Sequence, residues 1–318
     1  MTKGLITVFG GSGFLGKYVI RELVKKGWRV RVPVRRPHTA QELKVIGNVG
    51  QVQLVQANLR FEKSVERAVA GSDAVINLVA LLFEEGQQSF ESLHVRGADM
   101  LARAAAAQGI TNFVQISAIG ADANSESDYA RTKAEGEQAV RAAIPSADIM
   151  RPSIIFGAED KFFNRFASMA QLSPALPLIG GETKFQPVYV GDVAQAIAKV
   201  ASQGTSGSTY ELGGPRTYSF KELMQFLLTT IDRKRFLAPV PWFAANMLGF
   251  AGEISGAAPF VKPFLTRDQV KNLKVDNVVA DDALGFAELG IRLETIEAIV
   301  PTYLGRFRKY GQFHEKSA

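Results

Sequence analysis

Tyr129 and Lys133 stand four residues apart in SDYARTKAEGE, residues 127–137. On a helix that spacing puts both side chains on one face, so a phenol and an ammonium can address one ligand. Such a pair either drives redox chemistry or only holds a cofactor, and the rest of the chain has to decide between the two.

A second pattern lies near the start. VFGGSGFLG places Gly10, Gly13 and Gly16 directly after an apolar run and at the opening of a helical pattern. Glycines at this spacing allow a tight turn, close approach of a pyrophosphate and close helix–strand packing. The backbone N–H groups of Phe14, Leu15 and Gly16 then face the anion at the helix N-terminus. The motif in this context predicts dinucleotide binding. An NAD-specific chain usually places an acid at the end of the second strand. Here that region reads VPVRRPH, with Arg35 and Arg36 and no nearby carboxylate. Guanidinium groups bind a 2′-phosphate through charge-assisted hydrogen bonds, which favours NADP(H), the reduced cofactor NADPH included. After the third strand, ANLR offers Asn58 to the adenine edge, with Leu59 beside it and Arg60 as a weaker candidate.

These residues need a scaffold. Apolar runs at 5–9, 29–34, 52–57, 73–79 and 112–117 alternate with helical patterns, two of which close on Gly27 and Gly109. Residues 128–143 form a further helix, and ADIMRPS a sixth strand. Strands alternating with helices predict an α/β fold, a Rossmann-type doubly wound parallel sheet. Beyond Phe156 the rhythm breaks into prolines, glycines and short strands. The expected division is therefore a nucleotide-binding domain over 1–156 and a smaller C-terminal lobe over 157–318, partly returning to the main fold.

Composition narrows the function. The 318 residues contain no cysteine, which excludes disulfides, thiolate metal sites and cysteine nucleophiles. The three histidines, His38, His94 and His314, are scattered, so no metal site is expected. The net charge of +6 is dispersed, without a basic stripe interleaved with aromatics. That favours an acidic partner or anionic headgroups over nucleic acid. The first strand starts at about Leu5, which leaves no room for a targeting peptide. No apolar run reaches transmembrane length.

Together the glycine loop, NLVA (77–80), Tyr129-x-x-x-Lys133, RPSIIFG (151–157) and FQPVYVGDVAQAI resemble the extended and atypical short-chain dehydrogenase/reductase superfamily. YARTKAEGEQAVR, RPSIIFGAEDKFFNRFASM and TRDQVKNLKVDNVV are similar to the nucleotide-binding accessory subunits of respiratory complex I, NADH:ubiquinone oxidoreductase. The resemblance implies other complex I subunits as partners, near the junction of the hydrophilic and membrane arms. It implies tightly held NADPH that takes no part in electron transfer. Mitochondrial members carry a presequence and this chain shows none. The implied location is therefore peripheral, on the cytoplasmic face of a bacterial inner membrane.

The resemblance also assigns roles. In active members the tyrosine exchanges a proton with substrate, the lysine binds the nicotinamide ribose and lowers the phenol's pKa, and a serine orients the substrate oxygen. Tyr129, Lys133 and Ser117 match these roles, with Ser117 one place early and Ala118 in the expected slot. Adjacent strand residues face opposite ways, so the Ser117 hydroxyl is expected to be aimed off target and the engine to be vestigial. Val79 and Ala80 would line the cofactor, and Pro152, Ser153, Ile154 and Ile155 would pack along the nicotinamide. Arg151 either meets a ligand or is paired locally. His94 either supports the active-site loop or is a satisfied buried histidine.

One segment has no place in this scheme. Residues 236–252, FLAPVPWFAANMLGFAG, carry no charge. They form a lobe core, a lid or a docking surface at a membrane partner or lipid interface. Two rival functions remain: a free-standing NADPH-dependent reductase or nucleotide-sugar epimerase, and a module sensing the NADPH/NADP ratio.

Overall fold

The computed structural model describes residues 3–84, 86, 88–256, 263 and 265–311. The chain runs β1 (Lys3–Phe9), α1 (Phe14–Lys25), β2 (Trp28–Val34), β3 (Val52–Gln56), α2 (Glu62–Val69), β4 (Ala74–Asn77), α3 (Arg96–Ala107), β5 (Phe113–Ile116), α4 (Asp128–Ala143) and β6 (Asp148–Pro152). There follow β7 (Ile155–Phe156), α5 (Phe163–Leu172), β8 (Ala175–Ile179), β9 (Lys184–Phe185), β10 (Val188–Tyr189), α6 (Val190–Gln203), β11 (Thr209–Leu212), β12 (Tyr218–Ser219) and α7 (Phe220–Thr230). The last elements are β13 (Phe236–Val240), α8 (Trp242–Gly256), α9 (Arg267–Asn272) and α10 (Ile296–Leu304).

The expected doubly wound sheet is present. Seven strands pair in the order β11-β6-β5-β4-β1-β2-β3, and every pairing is parallel. Strands covered on both faces read as continuous apolar runs, and β4 and β5 are buried throughout. On one face α2, α3 and α4 close over the sheet with Val65, Leu101 and Val140 packed against Phe9, Val75 and Phe113. Each such buried side chain contributes about 1.5–3 kcal/mol.

The compact units divide at Pro152. The first comprises Met1–Pro152, Gly191–Leu212 and Asp281–Arg292; the second comprises Ser153–Val190, Gly213–Ala280 and Leu293–Ala318. Within the first, β11 extends the sheet beside β6, and the Lys199 ammonium donates to the Leu289 carbonyl at 2.5 Å. The second has its own core, in which Phe156, Phe163, Leu176, Phe220, Leu227, Ile296 and Val300 meet. Among the described residues no helix is long and apolar enough to cross a membrane.

Candidate functional site

In a sheet of this order the neighbours of β1 are β4 and β2, and the strand order reverses there. Ligands of open α/β sheets bind at this switch point, beyond the carboxyl ends of the strands. Gly10 follows β1 with φ +77°, a region that favours glycine. A Cβ on it would lie 2.9 Å from the Leu78 carbonyl carbon, and one on Gly16 would lie 2.5 Å from the Gly10 oxygen. The loop is therefore pressed onto the chain leaving β4, beside Val79. Gly13 caps α1 without a side-chain bond, and the first turn has no acid. Helix N-termini leave their first N–H groups without partners in the helix, so the Phe14, Leu15 and Gly16 amides have the geometry to receive an anion.

Arg35 and Arg36 are exposed just past β2. Asn58 follows β3, and its Oδ1 accepts from the Arg60 amide at 3.1 Å. That bond shapes the turn. Leu59 packs on the α2–α3 core. Val79 is half-buried and Ala80 exposed.

Beneath the loops lies a buried polar network that the sequence reading missed. Asn77 donates to the Gln115 side-chain oxygen at 2.9 Å and accepts from the Val79 amide at 3.1 Å. Gln115 donates to the Ile116 carbonyl at 3.0 Å. The Lys133 ammonium, from α4, donates to the same carbonyl at 3.3 Å. The signal was present as one polar residue in each of two otherwise apolar strands, AVIN and FVQI. Lys133 is almost wholly buried. Burial pushes its pKa down to about 8, against the opposing pull of the Glu137 carboxylate.

Ser117 comes directly after Ile116. Its hydroxyl is buried and has no hydrogen-bond partner among the described residues, whereas Ala118 is half-exposed. An unpaired buried hydroxyl costs roughly 1–3 kcal/mol, which a ligand atom would recover. A buried ammonium, an orphan hydroxyl and a helix N-terminus together fit a dinucleotide, whose ribose hydroxyls and pyrophosphate need such donors.

Tyr129 lies one turn before Lys133, with its ring held edge-on by Phe90 at 5.7 Å and His94 at 5.6 Å. The periodicity of residues 89–109 predicts one helix closing on Gly109. The chain instead makes a π-helical turn at Glu91–Val95 before α3, a wide turn that recurs at functional sites. This turn places His94 in the interior. Gly136 admits it, because a Cβ there would lie 2.1 Å from the His94 carbonyl oxygen. The Leu81 amide donates to His94 Nε2 at 3.0 Å. The Thr132 hydroxyl donates to the Asp128 carbonyl at 2.7 Å and lies 3.1 Å from His94 Nδ1. The bonds close only if Nδ1 carries the proton and donates to Thr132. His94 is thus both a satisfied buried histidine and a support for the loop after β4.

Burial first, then the Lys133 charge, lowers the His94 pKa to about 2. The unfolded chain takes up this proton below about pH 6.5, and the native state refuses it. Stability should therefore fall with pH below about 6.5, by up to about 1.4 kcal/mol per unit. His94→Gln should remove that slope in urea unfolding between about pH 6 and 5, above the range where carboxylates titrate. An unchanged slope would mean that His94 is not held neutral.

Arg151 is paired locally. It grips Glu137 through two bonds of 2.9 and 2.6 Å, with Glu211 at 3.6 Å. Pro152 ends β6 and accepts from the Ile119 amide at 3.1 Å. Ser153, Ile154 and Ile155 belong to the second unit, where Ser153 donates to Asn277 at 2.7 Å.

Residues 6–213 match the model of the NAD dependent epimerase/dehydratase family. The chain is 34% identical over 308 residues to the NADH-ubiquinone oxidoreductase 40 kDa subunit, mitochondrial, of Neurospora crassa, covering 96% of this chain and 80% of that protein. It is 37% identical over 314 residues to NADH dehydrogenase (ubiquinone) 1 alpha subcomplex subunit 9, mitochondrial, of Arabidopsis thaliana, covering 96% and 78%. Among solved structures, an Escherichia coli NADPH-dependent quinone oxidoreductase complexed with NADPH superposes with TM-score 0.74 at 21% identity, over 94% of this chain and 99% of that one. This last likeness is one of fold.

Proposed function

The chain belongs to the NAD dependent epimerase/dehydratase family and, within it, is a homologue of the 40 kDa and alpha subcomplex subunit 9 proteins of complex I, and from that premise we propose that it is an NADPH-binding accessory subunit of a membrane-bound complex I. The observation that carries the reading is the match to these subunits over 96% of the chain, joined to a site whose donors suit a dinucleotide.

In this reading Gly10, Gly13, Phe14, Leu15 and Gly16 hold the pyrophosphate. Arg35 and Arg36 hold a 2′-phosphate, which selects NADP(H). Asn58 and Leu59 hold the adenine, and Val79 and Ala80 line the path between. Lys133, Tyr129 and Ser117 bind the nicotinamide ribose, and Pro152, Ser153, Ile154 and Ile155 the nicotinamide. A bound nicotinamide supplies hydride chemistry, and the protein's part here is retention. Ala118 stands in the slot of the substrate-orienting serine, so the proton-transfer set lacks that hydroxyl beside the phenol. The cofactor serves structure or regulation, stabilising the native state because it binds only that state. The setting is the junction of the two arms, on the cytoplasmic face of a bacterial inner membrane.

The family match and the fold of the quinone oxidoreductase favour one rival, a free-standing NADPH-dependent reductase or epimerase driven by Tyr129 and Lys133. A mild-detergent pull-down through this chain, with extraction of its nucleotide, separates the two. Complex I subunits and NADPH should co-purify, the NADPH should survive quinone reduction, and Tyr129→Phe should leave assembly and cofactor binding largely intact. A protein recovered alone, with a turnover abolished by Tyr129→Phe, would overturn the proposal. A ratio-sensing module would bind NADPH and NADP with unequal affinity, since equal affinity shifts nothing.

A further inference from the structure

α8 turns an apolar stripe outward. Phe243, Met247, Phe250 and Ile254 recur at spacings of four, three and four residues, which is one helix face, and they are 71%, 69%, 51% and 61% exposed. The opposite face is locked. Ala245 is buried against Ile179, Leu265 and Val270. A Cβ on Gly249 would lie 2.8 Å from the Arg267 amide, and one on Gly252 would lie 2.1 Å from the Leu265 oxygen. The helix cannot roll to hide its stripe without driving side chains into that backbone.

Cations collar the stripe. The Arg267 guanidinium, paired with Glu253 at 2.8 Å, lies 5.2 Å over the Phe250 ring, and the Lys274 ammonium 5.8 Å over Trp242. A larger basic patch lies at the other end of β13, assembled from two segments far apart in sequence. Arg233 Nε donates to the Phe307 carbonyl at 2.9 Å, and Arg308 Nε lies 3.4 Å from the Thr230 carbonyl. Lys234, Arg235, Arg306 and Lys309 flank them. Residues 233–241 and 298–311 contain no acid, and the two inter-segment bonds go to main-chain oxygens, so they cancel no charge. From this patch β13 leads through exposed Phe236 to Trp242.

We propose that α8 and the Arg233–Arg308 patch form a surface that binds an anionic lipid bilayer. The apolar stripe enters the acyl boundary and the cations meet headgroup phosphates. Charge complementarity selects this occupant. An apolar protein groove needs no patch of clustered cations beside it, whereas an interfacial helix gains from one on anionic lipid. The inference deepens the proposed membrane attachment and rests on it, naming the face that makes the contact.

Flotation of the purified chain with vesicles tests it without any complex I subunit, so failure here leaves the complex I assignment standing. The chain should float with phosphatidylcholine vesicles containing phosphatidylglycerol, and far less with phosphatidylcholine alone or at high salt. Lys234→Gln and Lys309→Gln, whose ammonium groups are exposed, should each weaken partitioning about fivefold. Phe243→Ser with Met247→Ser should abolish it while circular dichroism stays unchanged. No flotation, or flotation indifferent to lipid charge and to all four substitutions, would overturn the proposal.

Discussion

Lys133→Met should yield a protein at least as stable as the original that no longer retains its nucleotide. The ammonium is buried in α4 and its pKa is pushed down to about 8 from 10.5. Between those two values the unfolded state binds a proton that the native state does not, so this group's contribution to stability rises with pH across that window. At neutral pH the buried charge costs on the order of 3 kcal/mol. Methionine has similar length and no charge, and replacing a buried ion with an apolar side chain is often neutral or stabilising. Nucleotide binding should move the other way. Losing charge-assisted bonds to ribose hydroxyls, each about 1.5–3 kcal/mol, should weaken affinity by about ten- to a hundredfold. Thermal unfolding without nucleotide and a fluorescence titration with NADPH measure the two effects separately. A lower melting temperature with unchanged affinity would make Lys133 a structural residue and sink its assignment as the cofactor anchor.

Arg151→Met should be the most damaging single substitution outside the hydrophobic cores. Glu137 and Glu211 have side chains only 7% and 13% exposed and share this one guanidinium. Removing it leaves two carboxylates in a dry region, a change that typically costs about 3–5 kcal/mol. For a chain of this size that corresponds to a fall of roughly 10 °C in melting temperature. Adding Glu137→Gln should restore part of the loss, because the second change removes one stranded charge. Urea unfolding of the single and double variants gives the coupling directly. If Arg151→Met unfolds at the original midpoint, the ion pair does not hold α4 to β6. The sequence left Arg151 between a ligand contact and a local pair because Glu137 and Glu211 approach it from different elements.

The same distinction runs through the rest of the molecule. The bounds of α4 were readable from its own residues. The parallel sheet followed from alternating apolar runs, and the phosphate loop from glycines between a strand and a helix. The π-helical turn was not readable, since it is held by His94 reaching Leu81 and Thr132 in other parts of the chain. The apolar content of residues 236–252 was plain, but that its larger side chains face outward depends on Gly249 and Gly252 meeting residues 265–267.

By itself, then, the sequence determined the first six strands, the helices between them and the Tyr129–Lys133 pair. Helix and strand periodicity, caps and tight turns are satisfied over a few consecutive residues, where the backbone finds its own partners. The tertiary structure alone decided which polar groups are buried, and beside what. It left the Ser117 hydroxyl unpaired, lowered the Lys133 ammonium's pKa, kept His94 neutral and merged the two arginine clusters into one patch. Those outcomes arise from desolvation and from contacts between distant segments, and both exist only once the chain has closed on itself.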